Sequence, residues 1–296
     1  MAEHFADRLL AAIDAKGSPV CVGIDPVYGR LPAELIGDGA DGVRQTGTLG
    51  AFCYEVIQLV APIVPAVKVQ SAYFEKYGWV GVDLYFKVVQ FARECGLIVI
   101  GDVKRGDIGA TAEAYAAGHL AREDAPDAIT VNGYLGADGI QPFIDAAEQG
   151  GQGVFVLVRT SNPSAPAVQD FADAGGKTLY EHVAEQVAAM GEQTLGERGY
   201  SLVGAVVGAT WPDQARQLRQ VMPQQLFLVP GYGAQGASSA DCAAAFKPDG
   251  TGAIVNASRS VIFAFDKDEY AGRPWRDAIA AATRAFAADI AGAVKA

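Results

Sequence analysis

The sequence predicts an α/β protein, a single-domain (β/α)8 TIM barrel spanning residues 1–296. Eight short apolar, β-branched runs recur along the whole chain, and amphipathic helical patterns alternate with them. The runs are apolar at nearly every position, so both faces of each strand are buried, as in a parallel sheet covered by helices. Eight such units in about 250 residues fit a closed barrel better than a doubly wound sheet.

The elements follow in order. In MAEHFADRLLAAIDAKG, Phe5, Leu9 and Ile13 recur every four residues, and no basic stretch opens the segment, so it reads as an amphipathic helix and not a signal peptide. PVCVGID (19–25) is the first strand; a Gly- and Asp-rich connection (26–48) precedes helical spacing from Leu49 to Ala61. AVKVQ (66–70) is followed by a helix from Asp83 to Cys95, and LIVIGDVK (97–104) by one from Thr111 to Arg122. DAITVNG (127–133) leads into a helix from Ala137 to Glu148. GVFVLVRT (153–160) opens the second long connection (161–177), which contains NPSAP and ends at a helix from Thr178 to Leu195. LVGAVVGA (202–209) precedes a helix from Trp211 to Val221, LFLVPGYG (226–233) a shorter one from Ser238 to Phe246, and GAIVNASR (252–259) a last one from Trp275 to Val294. Both long connections leave C-terminal strand ends, where barrel active sites are assembled, so they are candidate lids as well as plain insertions. No linker or repeat divides the chain.

Composition narrows the function. Half of the 296 residues are hydrophobic and the formal net charge is −11, with no Lys/Arg cluster. Nucleic acid and anionic membrane surfaces are therefore not expected partners, because both require a basic patch. No apolar run approaches the ~18–20 residues of a membrane span. Cys21, Cys53, Cys95 and Cys242 lack CxxC spacing and sit in apolar segments, the pattern of buried thiols in a reducing compartment, and the expected location is the cytoplasm. His4, His119 and His182 fall on separate helices without metal-ligand or triad spacing, so no metal site is expected from them.

The most informative residues are charges inside apolar strands. Asp25 closes the first strand, Lys68 interrupts the second, and Asp102 and Lys104 close the third. Side chains alternate along a strand, so Asp102 and Lys104 point the same way, roughly 6.6 Å apart at a rise of about 3.3 Å per residue, while Val103 faces the helices. Inside a barrel, Lys68, Asp102 and Lys104 converge near the C-terminal rim, and Asp25 can join them. Each could be a buried ion-pair partner, and Asp107 could be the N-cap of the third barrel helix. Together they describe a chemistry. A carboxylate set against a substrate carboxylate repels it by roughly 4 kcal/mol at 4 Å and an effective dielectric near 20. Loss of CO2 relieves that repulsion, and a neighbouring ammonium stabilises and protonates the carbanion left behind. A Schiff-base lysine would need a depressed pKa, which flanking carboxylates oppose.

LVPGYGAQG places Gly231, Gly233 and Gly236 in GxGxxG spacing, but in the seventh unit and without the acidic residue of a dinucleotide site. Loops after strands seven and eight of barrels commonly hold phosphate, through backbone N–H groups and a helix N-terminus. Arg259 would add a bidentate guanidinium, or else form a rim salt bridge. Thr160-Ser161-Asn162-Pro163 could hydrogen-bond the amide edge of a flat heterocycle, or simply end a strand.

DVKRGDIGATAEAYA (102–116) resembles the Asp-x-Lys-x-x-Asp-Ile signature of orotidine 5′-phosphate decarboxylases. VKVQSAYFEKYG (67–78), LVRTSNPSA (157–165), LVPGYGAQG (228–236) and IVNASRSVIFA (254–264) resemble the longer, type 2 branch of that family. The resemblance implies cofactor-independent decarboxylation of orotidine 5′-phosphate to uridine 5′-phosphate, the last step of UMP synthesis, with neither metal nor organic cofactor. It implies Lys104 as proton donor to C6, Asp102 as the carboxylate opposing the substrate's, and Lys68 and Asp25 as residues that orient this array and bind ribose hydroxyls. It implies a homodimer in which Asp107 and Thr111 reach the neighbouring subunit's site. Ser161 would meet the pyrimidine amide, and Gln235 and Arg259 the phosphate; Ile108, Asn162, Pro230, Gly231 and Asn256 are further implied substrate contacts. The alternative is a metal-dependent sugar-phosphate decarboxylase or aldol-type enzyme of the same superfamily, against which the second strand offers Lys68 and Gln70 but no acid.

Overall fold

A computed structural model describes residues 3–36 and 42–295. Eight parallel strands close into a barrel in sequence order: β1 (Val20–Ile24), β2 (Ala66–Gln70), β3 (Ile98–Arg105), β4 (Ala128–Asn132), β5 (Gly153–Arg159), β6 (Val203–Val207), β7 (Phe227–Pro230) and β8 (Ala253–Ala257). The ring closes by pairing Cys21 with Asn256. The helices are α1 (Phe5–Lys16), α2 (Gly42–Val60), α3 (Ala72–Glu75), α4 (Trp79–Glu94), α5 (Gly109–Leu120), α6 (Ala137–Gly150), α7 (Pro166–Gln169), α8 (Leu179–Gly191), α9 (Pro212–Val221), α10 (Ser239–Ala243), α11 (Arg259–Ile262) and α12 (Trp275–Lys295).

The period of two along the strands divides the core in two. Val20, Val22, Val67, Val69, Val99, Val103, Val154, Val156, Val229 and Val255 face outward and pack in one buried cluster with the helices. Cys21, Ala66, Ile98, Ile100, Ala128, Phe155, Leu228 and Ile254 face inward and form a second cluster. Phe5, Leu9 and Leu10 of α1 belong to this inner cluster, and Phe5 meets Phe155 edge-on with ring centroids 5.8 Å apart. The N-terminal helix therefore plugs the lower mouth of the barrel. The inward positions that would continue the apolar layers upward are Lys68, Gln70, Asp102 and Thr130, which leaves the upper mouth polar.

Several boundaries differ from the sequence expectation. Helix α2 begins at Gly42 rather than Leu49, and a 3-10 turn occupies Tyr28–Arg30, so the first connection is shorter than 26–48; its residues 37–41 lie outside the described residues. The 161–177 connection carries the one-turn helix α7. Asp107 is not the N-cap of α5: that position is Ile108, and Asp107 Oδ1 accepts from the Ile108 N–H at 2.8 Å. Cys95 is half-buried at the C-terminus of α4, unlike the other three buried thiols.

Candidate active site

A cavity of about 420 Å3 opens at the C-terminal end of the barrel. At its floor the charges that interrupt β1, β2 and β3 meet. Lys68 Nζ lies 2.9 Å from Asp102 Oδ2 and 3.6 Å from Asp25 Oδ1, and Lys104 Nζ lies 2.5 Å from Asp102 Oδ1. Pairing sets this order, because Lys68 stands beside Gly23 of β1 and Ile100 of β3, and Gln70 beside Asp102.

Asp102 is the hub. Besides two ammonium groups, it accepts from Gln70 Nε2 at 2.8 Å and from the Thr130 hydroxyl at 2.9 Å. Burial works to raise its pKa; Lys68 and then Lys104, by charge and by hydrogen bonding, outweigh this and hold it well below the usual carboxylate range. Burial likewise opposes the charge on Lys68, but Asp102 and Asp25 raise its pKa above the ordinary lysine value. Both shifts have the same sign in charge: each partner holds the other ionised. Lys104 differs in exposure. Its side chain is 47% accessible against 6% for Lys68, so its ammonium sits where a ligand would arrive.

The wall of the cavity carries the remaining expected groups. Ser161 and Asn162 line one side, Pro230, Gly231 and Gln235 another, and Asn256 and Arg259 a third. Gly231 has φ +118°, a conformation that side chains beyond glycine rarely adopt, and this bends the chain after β7 around the cavity. Helices α10 and α11 are short turns, so a helix dipole adds little positive field at this end of the cavity, where the Arg259 guanidinium stands. Among the described residues no carboxylate pairs with Arg259, which excludes the rim salt bridge within that set. Asp25 Oδ1 and Asn256 Oδ1 are buried without a hydrogen-bond donor. Both are acceptors that a ligand's hydroxyls could satisfy.

Three expected residues stand apart. Asp107, Ile108 and Thr111 do not line this chain's cavity; they lie at the start of α5, with Ile108 57% exposed. The three histidines also lie elsewhere: His4 caps α1, His182 pairs with Asp173, and His119 receives the Arg105 Nε–H while burial and Arg105 push its pKa down to about 4. Among the described residues no set of three or more His, Cys, Asp or Glu side chains converges to hold a metal.

The sequence reading left Thr130 and Arg159 out, and gave Gln70 no contact with Asp102. Arg159, at the end of β5, is fully buried, lies 2.6 Å from Asp170, and stands 4.3 Å from the Trp211 ring centre. Gln169 accepts from the Thr160 N–H at 3.1 Å and donates to its hydroxyl at 2.7 Å. These contacts fasten the second long connection where it carries Ser161 and Asn162. An arginine at the end of an apolar run looks like an ordinary strand terminus; its ring contacts come from a different unit.

The family model for orotidine 5′-phosphate decarboxylase / HUMPS matches residues 18–273, nearly the whole barrel. The chain belongs to this family. Curated relatives named orotidine 5′-phosphate decarboxylase include one from Rhodopirellula baltica, 44% identical over 94% of this chain and 96% of the relative. Another, from Deinococcus radiodurans, is 41% identical over 92% of this chain and 94% of the relative. The solved structure of Leishmania donovani OMP decarboxylase superposes with a TM-score of 0.75 at 29% identity, covering 99% of both chains. Family membership places the Lys68, Asp102 and Lys104 array in a decarboxylase barrel, the chemistry that alternating charges at this rim favour.

Proposed function

We propose that this chain decarboxylates orotidine 5′-phosphate to uridine 5′-phosphate, and that the charge array on β2 and β3 performs the step. The carrying observation is the buried Asp102 carboxyl held between the Lys68 and Lys104 side chains at the floor of the cavity. The substrate's carboxylate, seated beside Asp102, is repelled by it. The C6–carboxylate bond breaks, its electron pair stays on C6, and CO2 departs. Lys104 Nζ stabilises that pair and then transfers a proton to C6; water returns a proton to the lysine. The electrons balance without an acceptor, so the step needs no redox cofactor, and the Lys104 ammonium supplies at C6 the positive charge that a Lewis-acid metal would otherwise provide.

The remaining groups position the nucleotide. Asp25 and Asn256 offer to ribose hydroxyls oxygens that accept no hydrogen bond within the chain, Ser161 and Asn162 face the pyrimidine edge, and Gln235, Arg259 and the Pro230–Gly231 backbone take the phosphate. Phosphate binding, remote from the reacting bond, supplies the energy that forces the two carboxylates together. Ile108, Tyr115, Tyr134 and Leu135 leave large apolar side chains exposed around α5 and the start of α6. This supports a homodimer in which Asp107 and Thr111 serve the partner's cavity. A cytoplasmic location fits the four unpaired thiols.

The test is incubation of the purified protein with orotidine 5′-phosphate in excess EDTA, following loss of the orotate chromophore. Conversion to uridine 5′-phosphate is expected. Turnover of a sugar phosphate alone, and only with Mg2+ restored, would overturn the reading.

A further inference from the structure

We propose that Thr130 is a positioning residue: its hydroxyl fixes the backbone of Lys104 and the carboxylate of Asp102 in one geometry. The inference deepens the decarboxylase reading and rests on it for its catalytic consequence.

β3 and β4 pair at Gly101 with Ile129 and again at Arg105 with Val131. Between these points three residues of β3 oppose Thr130 alone, so β3 bulges where it carries Asp102 and Lys104. Such bulges re-aim side chains beside active sites. Within the bulge Lys104 has φ +46°, the one non-glycine among the described residues with positive φ. A lysine has no intrinsic preference for that region, so its surroundings must hold it there.

Thr130 supplies the hold. The Lys104 N–H donates to Thr130 Oγ1 at 3.0 Å, and the same hydroxyl donates to Asp102 Oδ1 at 2.9 Å. A hydroxyl can accept and donate at once, which a methyl of the same size cannot. Thr130 is 1% exposed, so neither contact is shared with bulk solvent. One atom therefore links the main chain of Lys104 to the carboxylate that its own ammonium touches at 2.5 Å. Without it the bulge can relax, and the ammonium moves relative to C6.

Thr130→Val removes the hydroxyl at constant shape, and Thr130→Ser restores it. With misplacement of about 1 Å able to cost ~10²-fold, kcat of the valine variant should fall roughly 10- to 100-fold with KM within about threefold, and the serine variant should stay within about threefold of the parent. Exchange of the Lys104 amide hydrogen should be roughly tenfold faster or more in the valine variant and near the parent rate in the serine variant. A packing role alone would lower Tm and leave kcat at low temperature and the serine rescue unmoved. A valine variant with parental kcat, or an unchanged Lys104 amide, would overturn the proposal. If the parent fails to turn over orotidine 5′-phosphate, the function reading falls, and the amide exchange still decides whether Thr130 holds Lys104.

Discussion

Replacing Asp102 with Asn separates the two things its charge does. The side chain keeps its shape and can still meet the Thr130 hydroxyl, but the repulsion against a substrate carboxylate disappears. At roughly 4 Å and an effective dielectric near 20 that repulsion is about 4 kcal/mol, so kcat should fall on the order of 10³-fold. KM should stay level or drop, because ground-state strain is removed with it. The fold is affected less. Lys68 loses its partner at 2.9 Å but keeps Asp25 at 3.6 Å. Full loss of a buried partner costs about 3–5 kcal/mol, so with one retained the cost should be about 2–3 kcal/mol, or roughly 5–10 °C in Tm. Steady-state decarboxylation and thermal unfolding, measured on the same preparations, read both effects. A kcat within about tenfold of the parent, alongside the expected fall in Tm, would show that Asp102 is only an ion-pair partner and would refute the strain argument.

Three further outcomes follow from the same geometry. Lys68→Met leaves Asp102 and Asp25 buried with fewer cations and should cost about 3–5 kcal/mol. The pH dependence has a definite sign: the depressed pKa of Asp102 contributes stability above its unfolded value of about 3.9 and loses it as pH falls below, whereas the raised pKa of Lys68 contributes below about 10.4 and is lost above. Tm against pH should therefore decline on both flanks in the parent, and in Lys68→Met, where the folded-state pKa of Asp102 is less depressed, the acid decline should be shallower; an acid flank as deep as the parent's would contradict the coupling. Arg259→Ala removes charge-assisted hydrogen bonds of about 1.5–3 kcal/mol and should raise KM roughly 10- to 100-fold, with stability changed by less than about 0.5 kcal/mol. An unchanged KM would remove Arg259 from the phosphate site.

The barrel was legible because apolar residues filled both faces of eight runs, a pattern that a half-exposed sheet does not produce. The array was legible because Lys68, Asp102 and Lys104 break those runs, and alternation predicts one side for the last two, which they share although β3 bulges there. Thr130 was not, since a threonine in a strand is unremarked and its role arises from the β3 bulge, which depends on pairing between chain segments. Arg159 escaped notice for a related reason: the Trp211 ring over which it lies belongs to the next unit, and the Tyr180 ring lies beyond the whole 161–177 connection. The amphipathic spacing of Phe5 and Leu9 announced a helix, but nothing local says that its apolar face closes the barrel floor. The Asp107 capping alternative failed because Ile108 takes the N-cap position.

Lys104 is the proposed acid acting on C6 within the charge array. The direct measurement is kcat for orotidine 5′-phosphate in Lys104→Ala against the parent, with product-nucleotide binding and Tm recorded on the same samples. The side chain is 47% exposed and Asp102 keeps Lys68 at 2.9 Å, so its removal should lower Tm by no more than Asp102→Asn does. Loss of a positioned acid should lower kcat by roughly 10²–10⁴-fold or more while product still binds. Turnover near the parental rate in a folded Lys104→Ala protein would contradict the account.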